Sequence, residues 1–151
     1  MKHISVILII LFVLNTAYLK AQSTYIWKPI GASTSVKIPA NWKIGTCNGS
    51  AATALPGSSD TLLFSNCSGS NAVIDTNLNV SYVQIKSNYT GTVTQSGSYN
   101  ITAAKMKVSG GTFTGGSGTI TINGTFTVDG GTFTSTSGLL IVRGNFSKTG
   151  S

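Results

Sequence analysis

Glutamate is absent from this sequence, and histidine occurs once, at His3. Carboxylates are confined to Asp60, Asp75 and Asp129. That shortage excludes much catalytic chemistry at the outset. Glycoside hydrolysis needs two carboxylates about 5 to 10 Å apart. A serine nucleophile needs a base, and neither a mature-chain histidine nor a Ser-x-x-Lys motif supplies one. Lyase chemistry would need an acidic calcium cluster with a basic residue beside it, and a single carboxylate such as Asp60 is a poor calcium site. No catalytic residue, metal or cofactor is expected.

Long apolar runs are also scarce. The one present, Ile4 to Leu14, follows the basic start Met1-Lys2-His3 and precedes Asn15 to Gln22. A charged start, an apolar stretch and a small residue near the end make residues 1–22 a secretory signal peptide. The stretch is too short for a comfortable membrane span. Cleavage after Ala21 or Gln22 removes His3, and no cysteine follows to carry a lipid. The mature chain is therefore expected to lack a transmembrane segment and to be secreted or held at the cell surface.

Charge is sparse, at 9% of residues. With the leader removed, eight basic residues against three acids leave a net charge of +5. The cations are scattered, with Lys105-x-Lys107 the one tight pair. A nucleic-acid site would cluster them with aromatics between, so nucleic acid is not expected as a partner. Acidic polysaccharide or cell-surface glycans suit such a charge better, although scattered lysines also simply keep a Ser/Thr/Gly-rich surface soluble.

Cysteine is limited to Cys47 and Cys67, and both lie in the exported part. One disulfide is expected there. Closing a loop of that size contributes about 3 kcal/mol on the chain-entropy estimate. All three prolines and both tryptophans share the same segment, residues 23–70.

What the chain has in abundance is a repeat. Gly111-Thr112-Phe113-Thr114 returns as Gly131-Thr132-Phe133-Thr134, and Gly124-Thr125-Phe126-Thr127 as Gly144-Asn145-Phe146-Ser147. Ile120 and Ile122 return as Leu140 and Val142. An earlier copy begins at Gly91 and aligns Tyr99 and Ile101 with this apolar pair, after a one-residue deletion near Gln95. Within each unit apolar residues alternate with Thr, Ser or Asn, the period of a strand with one buried face. Hairpins would not need identical spacing at an offset of 20, whereas stacked coils do. The expectation is an all-β chain: a parallel β-helix, or β-solenoid, of about 20 residues per coil, with clear coils at 91–110, 111–130 and 131–150. Phe113 should stack on Phe133, Phe126 on Phe146 and Ile122 on Val142. Residues 71–90 hold three short strand-like pieces and should form the first full turn.

Residues 23–70 read as an N-terminal cap. An open solenoid end exposes unpaired strand edges and an apolar core. Trp27 and Trp42 are large enough to cover it. Asp60 follows the turn sequence Pro56-Gly57-Ser58-Ser59 and should bond backbone N–H groups there, ahead of a strand at Thr61–Phe64.

The series Trp27, Asn41-Trp42, Pro56-Gly57-x-x-Asp60 and Phe64 resembles the opening segment of secreted bacterial β-helix surface proteins, adhesin-like and of Bacteroidetes type. The resemblance implies a right-handed helix and a passive surface role. The C-terminal sorting domain of such proteins is missing from the sequence, and the pattern stops mid-coil, so more coils or a partner are expected beyond Ser151. Asp60-Thr61-Leu62 also resembles the Asp-Ser/Thr-apolar sites at which such bacteria O-glycosylate exported proteins.

One outer feature stands apart. Thr92 and Thr94, Thr112 and Thr114, and Thr132 and Thr134 should form two parallel columns of hydroxyls. Such ladders resemble the ice-binding faces of β-solenoid antifreeze proteins, although threonine is also simply a good outward strand residue. Three readings therefore stand. The first is a non-catalytic exported surface module. The second is a carbohydrate-binding or carbohydrate-active β-helix whose active part lies beyond Ser151. The third is an ice-binding module.

Overall fold

The computed structural model describes residues 21–149. The expected leader lies outside the described residues apart from Ala21 and Gln22. Among the described residues there is no α-helix, and no helix long and apolar enough to cross a membrane. The strands stack in parallel into a β-solenoid of about four turns, roughly 20 residues each.

Three ladders of strands form its faces. The first holds β4 (Ala72–Ile74), β6 (Thr92–Gln95), β8 (Thr112–Thr114) and β11 (Thr132–Thr134). The second begins with the opening halves of β5 (Leu78–Ile85) and β7 (Ile101–Val108), and continues in β9 (Ile120–Ile122) and β12 (Leu140–Val142). The third takes the closing halves of β5 and β7, then β10 (Phe126–Val128) and β13 (Phe146–Lys148). Of the three short pieces expected in residues 71–90, the second and third, Leu78–Val80 and Tyr82–Ile85, are thus one long strand, β5, shared by two faces.

Alternation decides what each strand buries. Inward positions stack into apolar columns: Val93, Phe113 and Phe133 on the first face, Leu78, Ile101, Ile120 and Leu140 on the second, and Val83, Met106, Phe126 and Phe146 on the third. Phe113 lies on Phe133 with centroids 5.2 Å apart and planes 12° from parallel. Phe126 meets Phe146 at 5.1 Å, and Ile122 pairs with Val142. Each such side chain, once fully buried, contributes roughly 1.5 to 3 kcal/mol.

Glycine closes the corners. Gly111 and Gly131, at φ 54° and 62°, hold the left-handed conformation that brings the chain from the third face onto the first. A Cβ at Gly131 would lie 2.5 Å from the Gly110 carbonyl oxygen, so coil stacking itself demands glycine there.

The register of the 91–110 coil differs from the sequence expectation. Ile101 and Ala103, rather than Tyr99 and Ile101, pair with Ile120 and Ile122. The corner before Ile101 is one residue longer than its successor, not shorter, and Tyr99 is swung outward with 40% of its surface exposed. Gln95 explains the detour. It is buried, donates from Nε2 to the Tyr99 carbonyl at 2.6 Å and accepts at Oε1 from the Gly116 N–H at 2.9 Å. The wider loop gives that amide its partners.

Stacking also reaches back into the segment expected to be a cap. β1 (Thr24–Trp27) runs parallel to β3 (Thr61–Phe64), and β3 runs parallel to β5, so the third face begins at Thr24. β2 (Trp42–Ile44), preceded by a 3-10 turn at Pro39–Asn41, then lies antiparallel on β1 and covers the edge of the ladder. Reversing the last strand occupies hydrogen-bonding groups that a further parallel coil would need.

Candidate functional site

The cap is built around four aromatics. Trp27 and Trp42 are fully buried with centroids 5.0 Å apart, edge to face. Phe64 lies 6.1 Å from Trp27, 5.6 Å from Trp42 and 5.7 Å from Tyr89. Each polar tip is satisfied. Trp27 Nε1 donates to the Ser70 carbonyl at 3.0 Å, Trp42 Nε1 to the Val36 carbonyl at 2.9 Å, and the Tyr89 hydroxyl to the Ser70 carbonyl at 2.7 Å. Burial pushes the Tyr89 hydroxyl well above its ordinary value, so it stays a donor. Cys47 and Cys67, with Cα atoms 5.4 Å apart, are joined as a disulfide between the turns after β2 and β3. That separation suits such a bond.

The three carboxylates all serve to hold segments together. Asp60 is fully buried and accepts from the Ser23 N–H at 3.0 Å and the Gly57 N–H at 2.8 Å. It ties the start of the described chain to the turn before β3. Asp75 accepts from the Ser35 hydroxyl at 2.6 Å and the Lys37 N–H at 3.2 Å, with Lys37 Nζ at 3.6 Å. Burial works to raise its carboxyl, but the Ser35 and Lys37 hydrogen bonds and the Lys37 charge outweigh that and hold it below the usual range. Asp129 pairs with Lys107 of the preceding coil at 2.8 Å. The hydrogen bond to Lys107, aided by Ser109, lowers Asp129, and the same bond raises Lys107. No group of three or more His, Cys, Asp or Glu that could hold a metal occurs among the described residues.

The threonines of the first face stand in strict register. Thr92, Thr112 and Thr132 form one column and Thr94, Thr114 and Thr134 the other. The rung toward the cap breaks the pattern, because Val73 takes the place opposite Thr94. The second face breaks it too, where Thr121 meets Ile141.

The motif Asp60-Thr61-Leu62 is closed to modification as folded. All three residues are buried, Thr61 with 7% exposure, so the resemblance to an O-glycosylation site does not survive the fold.

Two sets of polar residues were not legible from the sequence. Asn71, Asn77 and Asn100 each accept at Oδ1 from a backbone N–H one coil on, from Thr92 at 2.9 Å, Asn100 at 2.8 Å and Thr119 at 2.8 Å respectively. They bracket coil to coil where the strand ladder pauses. Thr136, buried, donates its one hydroxyl proton to the Gly118 carbonyl at 2.6 Å, with the Gly116 carbonyl sharing it at 3.0 Å. In a chain rich in asparagine and threonine, composition gives no sign of which ones do this.

The described surface includes open depressions at two places of interest. One, of about 270 Å³, lies at the last coil between Val128, Phe133 and Phe146. The other, of about 190 Å³, lies on the outside of the third face between Tyr82, Lys105, Lys107, Thr125 and Thr127. Burial pushes the Tyr82 hydroxyl above its ordinary value. Comparison with family models, curated proteins and solved structures found no match.

Proposed function

We propose that this chain is a non-catalytic, exported β-solenoid module of the cell surface, an adhesin-like stalk presenting hydroxyl-rich faces. The observation that carries this reading is the use made of Asp60, Asp75 and Asp129. Each joins one turn of the solenoid or its cap to another. General acid–base work needs carboxylates that face a substrate and can exchange protons with it. The disulfide adds support, since such bonds persist outside the reducing cytosol.

The test is surface proteolysis of intact cells of the native host, with mass spectrometry of the released peptides. The reading expects peptides from the described coils and a mature N-terminus at Gln22 or Ser23. Protein confined to the cytoplasm with Met1 retained would overturn it.

Ice binding is a second reading, favoured by the in-register threonine columns. Neighbouring rungs lie about 4.8 Å apart and alternate residues roughly 6.6 Å apart, a regular hydroxyl grid. Thermal hysteresis of the purified protein separates the two, because the stalk reading expects coincident freezing and melting points.

A further inference from the structure

The outside of the third face brings together groups that lie far apart in sequence. Lys105 is exposed, and among the described residues it makes no ion pair. Lys107, two positions on, is already paired with Asp129. Across the ladder Lys105 stands opposite Tyr82, and Lys107 opposite Gln84. On the other side Thr127 stands opposite Lys107, and Thr125 completes the rim of the depression. Tyr82 is half-buried and lines the depression.

We infer that this depression binds an acidic oligosaccharide, with one sugar ring against Tyr82 and its carboxylate on Lys105. An aromatic ring fixed on a strand offers an apolar face with a polar tip, which matches the C–H face and hydroxyl rim of a pyranose. Lys105 supplies a compact charge for a carboxylate. Thr125 and Thr127 supply donors and acceptors for sugar hydroxyls. Tyr82, Lys105 and Thr125 follow one another across strands spaced about 4.8 Å, so they line a track along the solenoid axis rather than a pocket for one small molecule. A nucleic acid carries a phosphate at every nucleotide and needs a run of cations to match. Here one cation is uncompensated, which suits a ligand of sparse charge. The inference takes only the extracellular location from the proposed function. Binding is measured on purified protein, so its failure leaves export untouched, and a failure of export leaves the binding result standing.

The experiment is titration calorimetry of the purified full chain with an oligogalacturonate. A neutral glucan of equal length and a single-stranded oligonucleotide serve as comparisons. The oligogalacturonate should bind and the other two should not. Lys105→Ala should weaken binding about tenfold or more. Because Lys105 is exposed, this variant keeps the fold. Tyr82→Ala should weaken binding similarly, while Tyr82→Phe retains it. Lys37→Ala removes the same charge from the cap side of the first face and should leave affinity unchanged. Equal loss in Lys37→Ala would show bulk attraction alone and sink the site. Tight binding of the neutral glucan or the oligonucleotide would overturn the ligand class, and absence of oligogalacturonate binding would overturn the inference outright.

Discussion

Replacing Phe113 by alanine should unravel one end of the solenoid and leave the other intact. Phe113 is fully buried, stacked at 5.2 Å on Phe133 and opposite Val93. Burying a phenylalanine removes roughly 200 Å² from water, about 5 kcal/mol at 25 cal/mol per Å². Core Phe→Ala changes cost about 3 to 5 kcal/mol, so about 4 kcal/mol is expected. In a stack where each coil touches only its neighbours, that loss stays local. The last described coil rests on the 111–130 coil through bonds such as Thr132 N–H to Gly111, Ser137 N–H to Gly116 and Arg143 N–H to Ile122. Native-state hydrogen exchange should find these amides exchanging roughly a thousandfold faster, the equivalent of about 4 kcal/mol. Amides near the cap, such as Lys86 N–H to Phe64, should keep their protection. A uniform rise in exchange from Thr24 to Thr149 would refute the nearest-neighbour reasoning, because it would show a single cooperative unit.

Three further outcomes are expected. The Cys47→Ser/Cys67→Ser double variant should lose about 3 kcal/mol by denaturant titration, with exchange rising first around β1 and β2. Ile101→Ala should cost about 2 to 5 kcal/mol, whereas Tyr99→Ser should stay within about 0.5 kcal/mol; the reverse order would restore the register in which Tyr99 faces the core. The third concerns acid. Asp75 is held below the ordinary carboxylate value by Ser35 and Lys37 against the effect of burial. A depressed folded-state value gives stability that is present above the unfolded value and lost as pH falls through the folded one. Melting temperature should therefore drop less in Asp75→Asn than in wild type as pH falls below about 4.

The solenoid was legible because its signal is redundant. Strand period, glycine punctuation and the 20-residue offset all demand that Phe113 lie over Phe133, and the ladder places them so. Legibility ended where residues do local work without repeating. Near Gln95 the repeat implies a one-residue deletion, yet Gln95 is buried and bonded across a corner that is one residue longer. Asp60 was readable as a turn residue because Pro56-Gly57 precedes it; its bond to Ser23, across 37 residues, was not. The stretch 23–70 looks unlike the repeats and reads as a cap, with one strand expected at Thr61–Phe64, where β3 lies. That β3 pairs with β5, and β1 with β3, was not legible, because the 20-residue repeat does not extend into this stretch to set a register.

Corners absorb the irregularity, and that has a consequence for the outer surface. From Thr92 onward the first face keeps an offset of 20, as Thr92, Thr112 and Thr132 show. Nearer the cap, the corners that hold Tyr89 and Gln95 are longer. β5 and β7 therefore pair at an offset of 23, with Asn77 bonded to Asn100 and Tyr82 opposite Lys105. A uniform 20-residue coil would have set Tyr82 opposite Thr102 and left Lys105 on a rung without an aromatic. The pairing of ring and free cation is thus a product of corner length, and corner length is what a repeat-based reading averages away. Deep residues, Tyr89 against Phe64 and Gln95 against Gly116, fix those corners. The side chains that set the outer surface of the third face are therefore buried on the inside of the other two.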